Sequence, residues 1–214
     1  MRVALNILSA TKIYASKKIE NLDEKRIVPK MMLRRRLTRN AKIMLYLADK
    51  CGFKGGKIVY ASAFGELQST VGITTAILEE ESISPTMFQN SVYNAPPSYF
   101  SLLYGDTDEI ITISSGMKSS DEALKTAALQ ALISGEQILC VASESIDIPN
   151  IEQVNNCVEF LESGAAVVLE IAQLQKGAKE IQKGSLDGLI SSIVTLFNVA
   201  SMYENGVNKI ILDL

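Results

Sequence analysis

The sequence contains no histidine. Every mechanism that needs an imidazole as base, proton shuttle or metal ligand is therefore excluded, and Ser-His-Asp, Cys-His and zinc hydrolases fall together. Cysteine is scarce. Cys51, Cys140 and Cys157 stand at spacings that suit neither a metal site nor a disulfide framework. Cys140 lies inside the apolar run "ILCVA", where a thiol serves as a small buried hydrophobe. Long apolar runs are missing as well. No window approaches the roughly 18 apolar residues of a membrane span, and "MRVALNILSATK" reaches Lys12 too soon for a signal peptide. A cytoplasmic protein that holds neither a metal nor a cofactor is expected.

Arginine is absent after Arg39. Residues 1–57 carry 15 basic against 4 acidic groups, a net of +11, and residues 58–214 carry 6 against 20, a net of −14. A basic end on an acidic body suggests a docking surface for an acidic partner, or pairing between the two halves of the chain. Solvated side chains are the ordinary alternative. No nucleic-acid-binding motif or aromatic-basic interleaving accompanies the charge.

The patterning predicts one domain over residues 1–214. "RVALNIL" is an apolar strand, and residues 12–32 read as a loop. Thr38 caps a helix whose Ala41, Met44, Leu45 and Ala48 share one face. "KIVYAS" is the next strand, and Gly65 to Leu78 the next helix. From there the spacing predicts strand 109–114, helix 119–134, strand 137–143, helix 151–162, strand 164–171, helix 185–203 and strand 207–213. Alternation with fully apolar strands argues for a layered α/β fold around a largely parallel, mixed sheet.

Three short patterns invite chemistry. "CGFKGGK" at 51–57 has glycines and a lysine, but a helix precedes it, a strand follows, and Ile58 stands where a phosphate loop needs a hydroxyl. Ser115-Gly116-Met117-Lys118 matches S-x-x-K, in which a lysine could deprotonate a serine one turn away. The companion motifs of that class are missing, and "KGS" at 183–185 does not replace them. A tight turn before a capped helix explains the same residues. Arg34, Arg35, Arg36 and Arg39 form the densest basic cluster, either a solvated helix approach or a docking place for a carrier protein or partner.

The segment "SPTMFQNSVYNAPPSYFSLLYG", 84–105, holds five of the thirteen aromatic residues: Phe88, Tyr93, Tyr99, Phe100 and Tyr104. Polar uncharged residues interleave with them, the composition of an interface centre.

These residues resemble a known family. "ISPTMFQNSVYNAPPSYFSLLYGDTDEIITISSGMKSSDEAL" is similar to the stretch leading into the catalytic cysteine of β-ketoacyl synthases. The likeness is closer to ketosynthase-like chain-length-factor subunits, particularly the small ones of aryl-polyene biosynthesis. Those similarly show an "RRRLT/S" element (Arg34 to Thr38), an "ASxxGEL" element (Ala61, Ser62, Gly65, Glu66, Leu67) and "SPTxFxxSVxNA" (Ser84 to Ala95). The resemblance covers residues 33–143 well and the rest weakly.

It implies a thiolase-like fold of layered α-β-α type, here about one half of the duplicated ketosynthase architecture. It also implies heterodimerisation with an active ketosynthase and an acyl carrier protein as a further partner. In such dimers the strand before the nucleophile pairs across the interface. Carried onto this chain, the interface residues are Phe88, Asn90, Val92, Tyr93, Asn94, Ser98, Tyr99, Leu102, Ile111 and Ile113. The chain departs from the pattern at the nucleophile: alignment places Met117 or Lys118 there, and neither supplies a thiolate. Pro96-Pro97 also interrupts a segment that is helical in ketosynthases, which predicts a helix break and restart near Pro96.

The expected function is a non-catalytic subunit that helps shape the acyl tunnel and chain length. The alternatives are a histidine-free acyltransferase or hydrolase using Ser115 and Lys118, and a self-associating scaffold.

Overall fold

The computed structural model describes residues 1–154, 158–173, 178–182, 184 and 186–214. Strand β1 (Arg2–Ala15) is followed by two single helical turns, α1 (Glu24–Ile27) and α2 (Met31–Arg34). Helix α3 (Arg39–Lys50) leads to strand β2 (Ile58–Ala61), and helices α4 (Leu67–Leu78), α5 (Pro85–Asn90) and α6 (Ala95–Tyr104) precede strand β3 (Ile110–Ile113). A 3-10 turn at Gly116–Lys118 feeds helix α7 (Ser119–Ser134) and strand β4 (Ile138–Ser145). Helix α8 (Ile151–Val154) and strands β5 (Glu162–Ala172) and β6 (Lys179–Glu180) follow. A second 3-10 turn at Ser191–Ile193, helix α9 (Val194–Glu204) and strand β7 (Lys209–Asp213) complete the order.

The strands form one sheet in the order β3-β2-β4-β5-β1-β7-β6. Helices α7 and α9 cover one face, over a core that includes Leu5, Val59, Cys140, Val167 and Ile210. Helices α3 and α6 cover part of the other, over Tyr60, Phe100, Leu139 and Val168. The expected layered α/β arrangement is what the chain adopts. Its parallel pairings lie at the edges, β3-β2-β4 and β7-β6, whereas β5 runs antiparallel to β4 and β1, and β7 antiparallel to β1. Period-two and apolar-run signals report burial and not strand direction, so the antiparallel centre was not readable from them.

Local rules account for the clearest elements. The Ala41 amide donates to Thr38 Oγ1 at 3.0 Å, so Thr38 caps α3 as the pattern predicts. Asp121 and Glu122 occupy the first turn of α7, where the helix dipole favours acids. Helix α5 ends at Asn90, and α6 restarts at Ala95 with both prolines in its first turn, as expected.

Four boundaries differ from expectation. β1 runs on to Ala15, because residues 9–15 pair with β5 after a register shift between Ile7 and Ser9, so the expected loop begins later and contains α1 and α2. The helix expected over 151–162 is described only to Val154; residues 155–157 lie outside the described residues, 158–161 are not helical, and β5 begins at Glu162. Of the helix expected over 185–203, Ser185 is outside the described residues and 186–190 are irregular. The helix from Gly65 starts instead at Leu67, because Gly65 adopts a φ of +57° that an α-helix does not use.

Candidate functional site: a nucleophile corner beside an open sheet edge

The strand-to-helix corner is built as the sequence predicts, from β3, the 3-10 turn and α7. The Ser119 hydroxyl donates to Gly116 O at 2.7 Å and accepts from the Ser115 amide at 3.0 Å, tying the turn to the helix it feeds. Gly116 takes a φ of +55°, within the left-handed region where a side chain is disfavoured. The turn packs against Ser191–Ile193, and the Thr195 amide donates to Ser120 Oγ at 3.2 Å.

Chemically the corner is sparse. Ser115, Met117 and Lys118 are all exposed; the Lys118 amide donates to Ser115 O at 3.2 Å, but among the described residues no side-chain hydrogen bond joins Ser115 to Lys118. A lysine becomes a useful base by being desolvated, and an exposed one lacks that environment. Burial raises the thiols of Cys51, to about 11, and of Cys140, away from the reactive thiolate. Cys157 lies outside the described residues. Among the described residues no group of three or more Cys, Asp or Glu side chains could hold a metal ion.

β3 is the terminal strand of the sheet. The Ile58 amide donates to Glu109 O at 3.0 Å and the Ser62 amide to Ile113 O at 3.2 Å, so the odd-numbered backbone groups face β2. By the alternation of a parallel ladder, the amides and carbonyls of Ile110 and Thr112 face the open side. Ile111 and Ile113 pack half-buried against the α7 face, and Ile110 against the α6 face. A cavity of about 390 Å³ runs beside the edge, lined by Asn94, Pro97, Ser98, Ser101, Ile110 and Thr112.

The aromatic segment divides into two populations. Phe88 and Leu102 are each 67% exposed, and Val92 and Tyr93 are also exposed. Asn90 and Tyr99 are not. Both are buried, with Tyr99 Oη 2.7 Å from Asn90 Oδ1 and 2.8 Å from Arg36 O, and Asn90 Nδ2 donating to Arg36 O at 3.2 Å. They bind α5 and α6 to the turn before α3, so their side chains are not offered to a partner. Interface-like composition cannot separate an exposed tyrosine from one whose hydroxyl is satisfied inside the chain.

Sequence reasoning missed α4 as surface. None of its residues is buried, yet "LQSTVGITTAIL" carries no charge. It packs chiefly on α5, where Gly72 makes room for Met87: a Cβ there would meet Met87 Sδ at 2.7 Å. A helix without charges and with no buried face is a surface that wants covering.

The basic cluster also divides. Arg34 donates to Val28 O at 2.7 Å, and Arg39 pairs with the buried Glu162, so both are used internally and the docking role expected of them is corrected. Arg35 and Arg36 remain exposed. Pairing between the basic end and the acidic body is real: Arg2 meets Glu180 and Asp213, Lys12 meets Glu204 and Lys57 meets Glu136.

Three buried carboxyls were invisible in the sequence. Glu144 accepts from Ser62 Oγ (2.8 Å), the Ala63 amide (2.5 Å), the Phe64 amide (3.3 Å) and Ser192 Oγ (2.8 Å). Burial raises its pKa and these four donors pull it back. Glu162 accepts from Arg39 Nε and the Ile19 amide, each at 2.7 Å, and from Ser145 Oγ at 3.2 Å. Among the described residues Glu66 accepts from Thr38 Oγ1 alone, at 2.6 Å.

The layered α/β sheet that ends in an open strand, with a nucleophile-type corner at that strand's end, is shared with ketosynthases, as the following likenesses show. The chain belongs to the family of beta-ketoacyl synthase N-terminal domains, whose family model matches residues 12–187. Among solved structures it is similar to a chain of the ketosynthase ApeO in complex with its chain length factor ApeC from Xenorhabdus doucetiae, with a TM-score of 0.64 and 22% identity over 80% of this chain and 81% of that one. It is similar to the ishigamide ketosynthase/chain length factor at TM-score 0.63 and 10% identity, over 81% of this chain and 63% of that one. A third likeness is to AntDE:AntF, a type II polyketide synthase acyl-carrier protein in complex with its ketosynthase, at TM-score 0.62 and 18% identity over 80% and 63%.

At these identities the likeness concerns the fold. The chain spans less than two thirds of the second and third, and the near-equal shares of the first mean that the matched chain is about as long as this one. No curated protein matches. The resemblance to ketosynthase-like chain length factors is borne out by the family model and by these complexes. Among the described residues no helix is long and apolar enough to cross a membrane.

Proposed function

We propose that the chain is a non-catalytic, cytoplasmic ketosynthase-like subunit that pairs with an active β-ketoacyl synthase. In that dimer it helps shape the acyl tunnel and so influences chain length in aryl-polyene, type II polyketide or fatty-acid-like biosynthesis. The observation that carries this reading is the open edge of β3, whose outward backbone at Ile110 and Thr112 lies beside Asn94, Pro97, Ser98 and Ser101, in a chain that also exposes Phe88, Val92, Tyr93 and Leu102 from the segment before it. An open strand edge is a template for another strand. Asn94 and Ser98 border the same edge, Ile111 and Ile113 stiffen it from one face, and Asn90 and Tyr99 hold the segment from beneath. Arg35 and Arg36 are left for an acyl carrier protein or the partner subunit to meet.

Co-expression with candidate ketosynthases tests the pairing: one of them should co-purify, and a chain that is soluble alone and co-purifies with none contradicts it. The corner supplies neither a thiolate nor a desolvated base, which supports the non-catalytic part. Incubation with acyl carriers followed by intact-mass measurement should leave the chain unmodified. An acyl adduct that disappears in Ser115→Ala would replace this reading by that of an acyl enzyme using Ser115 and Lys118.

A further inference from the structure

Three acids stand at the electrostatically wrong end of α4. The helix closes on a left-handed residue: Glu80 takes a φ of +58°, its amide donates to Ile77 O at 3.3 Å, and the Glu81 amide donates to Ala76 O at 2.8 Å. Glu79, Glu80 and Glu81 are therefore fixed where the helix dipole is negative, with no basic residue in the last turn. All three are exposed, and none forms an ion pair among the described residues. Beside them Ile77 is 60% and Leu78 79% exposed, and Ile83 is exposed beyond the turn. The turn is a knob that is both acidic and apolar.

The opposite combination lies at residues 30–36. Lys30, Arg35 and Arg36 are exposed and form no ion pair among the described residues, and Met31 and Met32 are exposed between them. The nearest acids in sequence are already used: Asp23 pairs with Arg26 and Lys50, and Glu24 with Arg39 and Lys42.

Knob and patch border one another. Ser84 and Met87 line a cavity of about 330 Å³ together with Glu79 and Glu81, and a second of about 290 Å³ together with Arg35 and Arg36. A surface that carries both halves side by side is self-complementary about a two-fold axis, each copy's knob facing the other's patch.

We propose that this surface binds a second copy of the chain. Glu79, Glu80 and Glu81 of each copy meet Lys30, Arg35 and Arg36 of the other, and Ile77, Leu78 and Ile83 cover Met31 and Met32. The charges select this occupant. An anionic lipid surface would repel the knob, and an acidic protein would satisfy the arginines while leaving the glutamates unpaired. A second copy satisfies both. A copy seated here competes for Arg35 and Arg36 with the carrier protein or partner subunit considered above. The open edge at Ile110 and Thr112 takes no part, so self-association and ketosynthase pairing stand or fall separately.

Sedimentation velocity of the chain alone at about 50 mM salt should show a concentration-dependent dimer, which about 300 mM salt should weaken at least about tenfold. Two charge-reversed chains extend the test. One carries Glu79→Lys, Glu80→Lys and Glu81→Lys, and the other carries Lys30→Glu, Arg35→Glu and Arg36→Glu. Each should be monomeric alone, because its knob and patch then share one sign. Their equimolar mixture should dimerise, because both contacts again join opposite charges. A wild-type chain that stays monomeric at about 200 µM in low salt overturns the proposal. So does a dimer indifferent to salt or to the reversals, or a mixture that stays monomeric. Circular dichroism checks folding, and if a reversed chain fails to fold, the wild-type concentration and salt series decides alone.

Discussion

Thr112→Pro should leave the chain folded and weaken its assembly with a ketosynthase by more than about thirtyfold, the equivalent of about 2 kcal/mol. The Thr112 amide faces away from β2, so proline removes no bond of the β2–β3 ladder. Proline is tolerated on an edge strand in that orientation and blocks addition of a further strand there. Ile111→Pro is the contrasting variant. Its amide faces the buried strand β2, and losing that bond should destabilise the monomer itself. Circular dichroism with thermal melting reports folding, and size-exclusion of the co-expressed pair reports assembly. If Thr112→Pro assembles as well as the parent, β3 is not the contact.

Arg39→Met should destabilise the chain by about 3–5 kcal/mol, because it leaves Glu162 as a buried carboxylate without its cation. Glu162 is 1% exposed, and the Arg39 guanidinium supplies two of its hydrogen bonds while also donating to Ile19 O at 3.0 Å. The Ile19 amide and Ser145 hydroxyl remain, which is too little for an interior charge. Urea unfolding measures the loss, and a change below about 1 kcal/mol would mean that solvent reaches Glu162. The double variant Arg39→Met, Glu162→Gln should recover much of the stability, since removing both charges leaves no unpaired ion.

The arginine cluster shows what a sequence can and cannot say. Four arginines in six positions read as either a solvated helix approach or a docking patch, yet Arg39 turns inward to Glu162 and Arg34 to a backbone carbonyl. The partner of Arg39 lies 123 positions away and stands at the start of an apolar strand, so no local pattern connects them. Long-range pairing hid the extent of β1 in the same manner. "TKIYA" looks like the start of a loop until β5 is placed beside it.

Elements governed by local rules were legible. Helix α7 spans Ser119–Ser134 as the pattern predicts, because acids occupy its first turn and Gly135 accepts the left-handed conformation at its end. The helix break before Pro96 follows from the missing proline amide. The candidate site was half legible. Composition marked residues 84–105, but only the three-dimensional arrangement separates the outward Phe88 and Leu102 from the inward Asn90 and Tyr99. It also adds α4, whose lack of both charge and burial marks it as surface to be covered. The buried glutamates were not legible at all, because a glutamate next to serines reads as surface until its donors are known.

The pairing with a catalytic ketosynthase is tested most directly by co-expressing this chain with each candidate ketosynthase and weighing the purified species by light scattering. A complex containing one copy of each chain, lost on Thr112→Pro, is the predicted result. A soluble monomer or self-associated form that carries no ketosynthase in any combination would contradict it.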